Sequence, residues 1–266
     1  MADQNTIDDL RAESEQIDQM VADLDDQAWQ LPTPASGWTV ADQVAHLAFI
    51  FKLAGTAASA PDVFAAMVQA AKNDFDGAVN AALTGYRALA PADLYASWQA
   101  ERDAALAALA AVPAGEVVPW LVNPLPPAVL ACAGMMEAFA HGQDIADATG
   151  AHPERTDRIG RVVGFAVLTR DFGYQARGLT PPDTQFRFEL TAPSGTRWEF
   201  GPADCDQRVT GPAVDFCLLV TRRRHRADLA VVASGSEADA WLDIAQAYRG
   251  PAGPGRAPGQ FAALKR

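Results

Sequence analysis

Long apolar runs are missing from this 266-residue sequence. None approaches the roughly 18 residues that a membrane-spanning helix needs. Cysteine is scarce: Cys132, Cys205 and Cys217 are spread without a CxxC, which excludes a disulfide framework. Their apolar flanks (VLACAG, DFCLLV) or strand-like setting (ADCDQRV) read as small core fillers in a reducing cytosol. Positive charge is also short, 21 Lys and Arg against 33 Asp and Glu, for a formal net charge of −12. That balance repels nucleic acid and anionic membranes, and both are excluded as expected partners. The opening MADQNTIDDLRAESEQ has neither the basic start nor the apolar centre of a secretory signal, so a cytoplasmic protein is expected.

What is present divides in two. The first ~155 residues are alanine-rich with helical spacing. Ile7, Leu10, Ile17, Met20, Val21 and Leu24 mark a first helix, closed by LPTPASGW. A second helix begins at Thr39, with Asp42 placed to complete a capping box. Residues 61–88 predict one or two further helices, 92–111 another, and about 127–149 the last, stopped by the glycine of DATG. Residues 156–178 read as a connecting helix. Over 179–250 the period changes: FRFELTA and TRWEFG alternate around a Ser-Gly turn, CDQRVTG and LAVVASG add strands, and PAVDFCLLV and SEADAWLDIAQAY are helical. Residues 251–266, rich in Pro and Gly, predict a flexible tail. The expected fold is thus helical followed by a small α+β domain.

Only four histidines occur, and two of them sit where a core belongs. In MMEAFAHGQDIAD, Glu137 and His141 are four apart; on a helix that is about 40° of rotation and ~6 Å of rise, so they share a face. His46 interrupts the apolar stripe Val40, Val44, Leu47, Ile50. Two imidazoles and a carboxylate from two helices form an open three-ligand metal set, the arrangement of catalytic zinc. Hydrogen-bonded core histidines fit the same spacing, and both readings stay open on spacing alone. His152 and His225, in loop-like and basic settings, read as solvated.

These residues carry a resemblance. PTPASGWTVADQVAHLAF resembles the sequence around the first metal histidine of the DinB-like, mycothiol-dependent maleylpyruvate isomerase family. MEAFAHGQDIADATG resembles its second metal segment, and residues 179–248 resemble its C-terminal α+β domain. More narrowly, the chain is similar to an actinobacterial subfamily of metal-binding relatives without assigned reactions. The resemblance implies a DinB-like four-helix bundle holding a divalent metal through His46, Glu137 and His141. Zinc is the first choice, with nickel or ferrous iron also compatible. It implies an isomerase or S-transferase in which mycothiol, as metal-activated thiol, adds to an electrophilic small molecule.

Around that centre, Asp144 is expected to orient a ligand or accept a proton, and Asp42 to serve the cap. Trp38 is expected to pack under the start of its helix or line the pocket, and Trp120 to form part of a cofactor-binding rim. Within the run Arg222, Arg223, Arg224, His225, Arg226, Arg222 ranks first as a catalytic and cofactor-binding anion clamp, with Asp215 as a buried arginine partner. The expected partners are a small-molecule substrate, a low-molecular-weight thiol and, as simplest assembly, a second copy of the chain. A thiol-independent metalloenzyme (hydrolase, lyase or cyclase) and a non-catalytic metal-stabilised binding protein are the alternatives.

Overall fold

The computed structural model describes residues 4–72 and 74–262. Among them eleven α-helices and one four-stranded sheet form two units, Met1–Pro153 and Glu154–Arg266.

Proline and capping chemistry set the helix boundaries of the first unit. α1 (Gln4–Val21) and the single turn α2 (Asp26–Trp29) precede α3 (Val40–Ser59). At Thr39 the hydroxyl accepts from the Asp42 amide while the Asp42 carboxylate accepts from the Thr39 amide, the reciprocal pair expected from the sequence. α4 (Pro61–Ala71), α6 (Pro91–Ala111) and α7 (Pro127–Thr149) each begin on a proline, where the missing amide hydrogen costs nothing. α5 (Phe75–Arg87) lies between α4 and α6, so residues 61–88 make two helices. α7 stops at Gly150, whose φ of +75° suits glycine.

The four long helices α1, α3, α6 and α7 pack on one another around a shared core that includes Leu10, Ile17, Leu47, Trp98, Leu106 and Phe139. Burying each such side chain is worth about 1.5–3 kcal/mol. Gly55 lets α3 approach α6 closely, since a Cβ there would lie 3.1 Å from the Ala105 Cα. The Trp98 indole donates to Asp18 at 2.8 Å, and the buried Arg102 guanidinium pairs with the same carboxylate.

In the second unit the expected connecting helix over 156–178 is broken. A 3-10 turn (Asp157–Ile159) leads into α8 (Gly160–Leu168), and the chain turns before the short α9 (Phe172–Gln175). Tertiary contacts explain the break. Trp241 donates its indole N–H to the Arg170 carbonyl, and Gly173 sits so close to Ile244 that a Cβ would lie 2.3 Å from its oxygen. The sheet, order β2-β1-β3-β4, is built from β1 (Arg187–Thr191), β2 (Arg197–Phe200), β3 (Arg208–Pro212) and β4 (Val232–Ser234). β1 and β2 are antiparallel across the Ser194-Gly195 turn, with Leu190 opposite Trp198; β1 and β3 are parallel.

Phe188 packs edge-on against Phe216 of α10 (Ala213–Val220) and Trp241 of α11 (Ser236–Ile244), so one sheet face and two helices share a core. The opposite face carries Glu189, paired with Arg187, Arg197 and Arg208. Cys217 is fully buried, whereas Cys205 is half-buried in the loop before β3 and not in a strand.

The tail is tethered as far as it is described, contrary to the expectation of a loose segment. The Asp228 carboxylate accepts from the Gly259 amide, and Phe261 is buried beneath the Arg224 guanidinium. Residues 263–266 of that expected tail lie outside the described residues.

Candidate metal centre

His46 lies two turns into α3, and Glu137 and His141 lie one turn apart on α7, which packs against α3. Their side chains converge. His46 Nε2 is 3.7 Å and His141 Nε2 is 3.2 Å from Glu137 Oε2, and all three donor atoms lie within 4.8 Å of one another. Metal–ligand bonds of about 2.0–2.2 Å at a tetrahedral angle put donors about 3.3–3.6 Å apart. The two measured edges bracket that range, so the residues fit a divalent cation with little movement. Among the described residues these three form the only such cluster of His, Cys, Asp and Glu, which leaves coordination positions for water or a reactant.

Electrostatics keep the carboxylate ionised. Burial by itself raises the Glu137 pKa, but hydrogen bonds from His141 and His46 and their charge outweigh it and hold the carboxyl well below the usual range. The side chains of His46 and Glu137 are 19% and 23% exposed, so the open side of the cluster reaches solvent.

Three residues around the cluster went unassigned or underweighted in the sequence. Trp38 is stacked on His141, ring centroids 5.9 Å apart, and tilted on His46 at 5.4 Å; Arg87 lies over the indole at 5.9 Å. Trp38 therefore walls the site as well as leading into α3. Gln43, fully buried, faces His141 with its Oε1 at 2.5 Å from Nδ1, and its Nε2 donates to the Thr33 hydroxyl at 2.8 Å. Gln43 lies three residues after Val40 and four before Leu47, at a buried-stripe position, but its pairing with His141 has no local signal in the sequence.

The other expected site residues each have a local setting of their own. Asp144 is fully buried one turn beyond His141. The His141 ring has Gln43 Oε1 at Nδ1 and Glu137 Oε2 facing Nε2. Trp120 stacks on Phe64 of α4, 5.8 Å between centroids and 7° between planes, while the ring against both imidazoles is Trp38.

Arg222 belongs to the second unit and has a local duty there. Its φ of 59° and the bonds from its amide to Leu219 O and from Arg223 N to Leu218 O form the left-handed stop of α10, where glycine usually stands. Its guanidinium donates to the Gly253 carbonyl. Asp215 accepts from the Ala230 amide and not from an arginine. His225 caps the 3-10 turn Arg226–Asp228, and His152 is exposed.

A family model described as the mycothiol maleylpyruvate isomerase N-terminal domain matches residues 10–146, just over half of the chain. The chain belongs to that family. Within the mycothiol maleylpyruvate isomerase N-terminal domain family, His46, Glu137 and His141 all fall inside the matched span. A second model, described as wyosine base formation, matches residues 182–234.

Two relatives, uncharacterised proteins from two strains of Mycobacterium tuberculosis, are 44% identical over 93% of this chain and 96% of their own. The crystal structure of the mycothiol-dependent maleylpyruvate isomerase superposes with a TM-score of 0.59 at 15% identity, covering 87% of this chain and 92% of that one. A histidine-to-alanine mutant of that enzyme matches equally well at 14% identity. At that identity the likeness speaks for the fold. Among the described residues no helix is long and apolar enough to cross a membrane.

Proposed function

We propose that this chain is a divalent-metal-dependent enzyme of the mycothiol-dependent isomerase or S-transferase type, acting on an electrophilic small molecule. The observation that carries the reading is the convergence of His46 Nε2, His141 Nε2 and Glu137 Oε2 at metal-ligand spacing on the solvent-accessible side of the helical unit. Family membership supports the choice of thiol cofactor. Zinc is the first candidate, and nickel or ferrous iron accepts the same nitrogen and oxygen donors.

When bound, such a cation supplies Lewis acidity that lowers the pKa of a coordinated thiol, which makes the sulfur nucleophilic near neutral pH. The protein's own groups set the conditions for that chemistry. Glu137, ionised over the working pH range, offsets part of the cation's charge. Trp38 covers the two imidazoles with apolar surface and shields that flank from bulk water. A metal held by these three donors would keep coordination open to a further group.

Metal analysis of the purified protein followed by titration with mycothiol tests the proposal. About one equivalent of metal is expected, with mycothiol binding that needs both the metal and a free SH. Metal uptake without any affinity for mycothiol would move the assignment to a thiol-independent metalloenzyme. Absence of metal uptake would remove the metal chemistry altogether.

A further inference from the structure

The two imidazoles of the cluster are not held alike. His46 Nδ1 is buried with no hydrogen-bond partner, whereas His141 Nδ1 faces the carbonyl end of the Gln43 amide. The direction of that contact can be read from the groups behind it. The Trp38 carbonyl can only accept, and it takes both the Thr33 amide (2.8 Å) and the Thr33 hydroxyl (2.9 Å). With its proton committed there, the Thr33 oxygen is left to accept, and the group that meets it is the Gln43 NH2. The other end of the amide is therefore the oxygen, and it accepts from His141 Nδ1–H. With Nδ1 protonated, Nε2 is the nitrogen left to give its lone pair to a cation in the donor cluster, in place of the hydrogen bond it makes to Glu137 without one.

We infer that Gln43 is a positioning residue for metal binding. It fixes His141 in the tautomer that can act as a ligand, with its own polarity set by Thr33 and the Trp38 carbonyl. The inference rests on the metal reading above. It adds that the loop from Leu31 to Thr39 has two ties to the site: the Trp38 ring lies on both imidazoles, and the Trp38 carbonyl sets the direction of the chain that ends at His141. The reversed amide would present NH2 to Nδ1 and force the proton onto Nε2, so that an N–H would point where the cation must sit. Burying Gln43 completely, beside a metal ligand and between Val40 and Leu47, is otherwise a costly use of a core position.

Zinc affinity of the full chain, measured by competition with a chromophoric chelator, is the first readout. Gln43→Leu is expected to weaken zinc binding about 10- to 100-fold. Gln43→Glu, which keeps an acceptor opposite Nδ1, is expected to stay close to wild type. A space-filling role would give the opposite order, with leucine tolerated and the buried carboxylate damaging.

The second readout needs no variant that folds. Nitrogen-15 shifts of the zinc-loaded wild-type protein should show His141 protonated at Nδ1, with Nε2 on the metal. Equal zinc affinity of wild type and Gln43→Leu would overturn the inference, as would a His141 that binds zinc through Nδ1. A failure of the metal reading looks different: the wild-type chain would then take up no zinc, and the positioning role would fall with it.

Discussion

The indole of Trp38 lies on the imidazole of His141, 5.9 Å between centroids and 23° between planes, and the same indole contacts His46 at 5.4 Å. One tryptophan among six thus touches both histidines of the cluster. Binding of a paramagnetic ion such as Co2+ should quench its emission. In Trp38→Phe, most of the Co2+-dependent fluorescence change should disappear while Co2+ still binds, as followed by its visible absorption. A change that persists in the variant would mean the ion sits elsewhere.

Glu137 supplies the negative charge of the cluster, so its loss should cost more than its size suggests. Glu137→Gln is expected to weaken zinc affinity at least about tenfold, because a neutral amide oxygen replaces a carboxylate. His141→Ala should abolish binding while leaving helix content largely intact, since the core of Leu10, Leu47, Trp98 and Phe139 is untouched. Calorimetric titration and circular dichroism read the two quantities separately. Unchanged zinc affinity in Glu137→Gln would make this residue a core carboxylate and not a ligand.

Much of this site could be read from residue types and spacing. The Thr39–Asp42 box, the start of α7 after a proline run and its stop at Gly150 are local features, and local chemistry sets them. Glu137 and His141 declared a shared face because four residues on a helix always do. Gln43 did not declare itself, because its partner His141 lies 98 residues away and only packing brings them together. Arg222 has a backbone role that was hidden for a related reason. Its charge suggested a clamp, whereas its place just after α10 gives its backbone a left-handed turn to make. The break before α9 was equally hidden, being imposed by Trp241 and Ile244 some 70 residues on.

The start of α3 makes a pH-dependent contribution. Burial raises the Asp42 pKa, but hydrogen bonds from the Thr39 amide and hydroxyl and from Arg87 outweigh it and hold it below the ordinary value. A depressed folded pKa means that stability is present above the unfolded value, about 3.9, and is lost as pH falls through the folded one. Asp42→Asn should therefore lower stability at neutral pH and flatten the acid side of the curve. Thr39→Ala should cost about 1 kcal/mol at neutral pH. Denaturant unfolding at several pH values checks both; parallel curves for Asp42→Asn and wild type would contradict the assignment.

Two helical glycines should respond in opposite directions to the same change. Gly85 lies on the exposed face of α5 with nothing within 4 Å of an added Cβ, so Gly85→Ala should stabilise by about 0.5–1 kcal/mol through helix propensity. Gly55 gains the same propensity on α3, but its Cβ would meet the Ala105 backbone at 3.1 and 3.3 Å. Backbone atoms of a packed helix cannot turn aside as a side chain can. The resulting overpacking costs about 1–3 kcal/mol, which exceeds the gain, so Gly55→Ala should be net destabilising. Because α3 also carries His46 and Gln43, the displacement should further weaken zinc binding, whereas Gly85→Ala should leave it unchanged. Thermal melts with and without zinc compare the pair directly. Stabilisation by Gly55→Ala would show that α3 and α6 are not in close contact at this position.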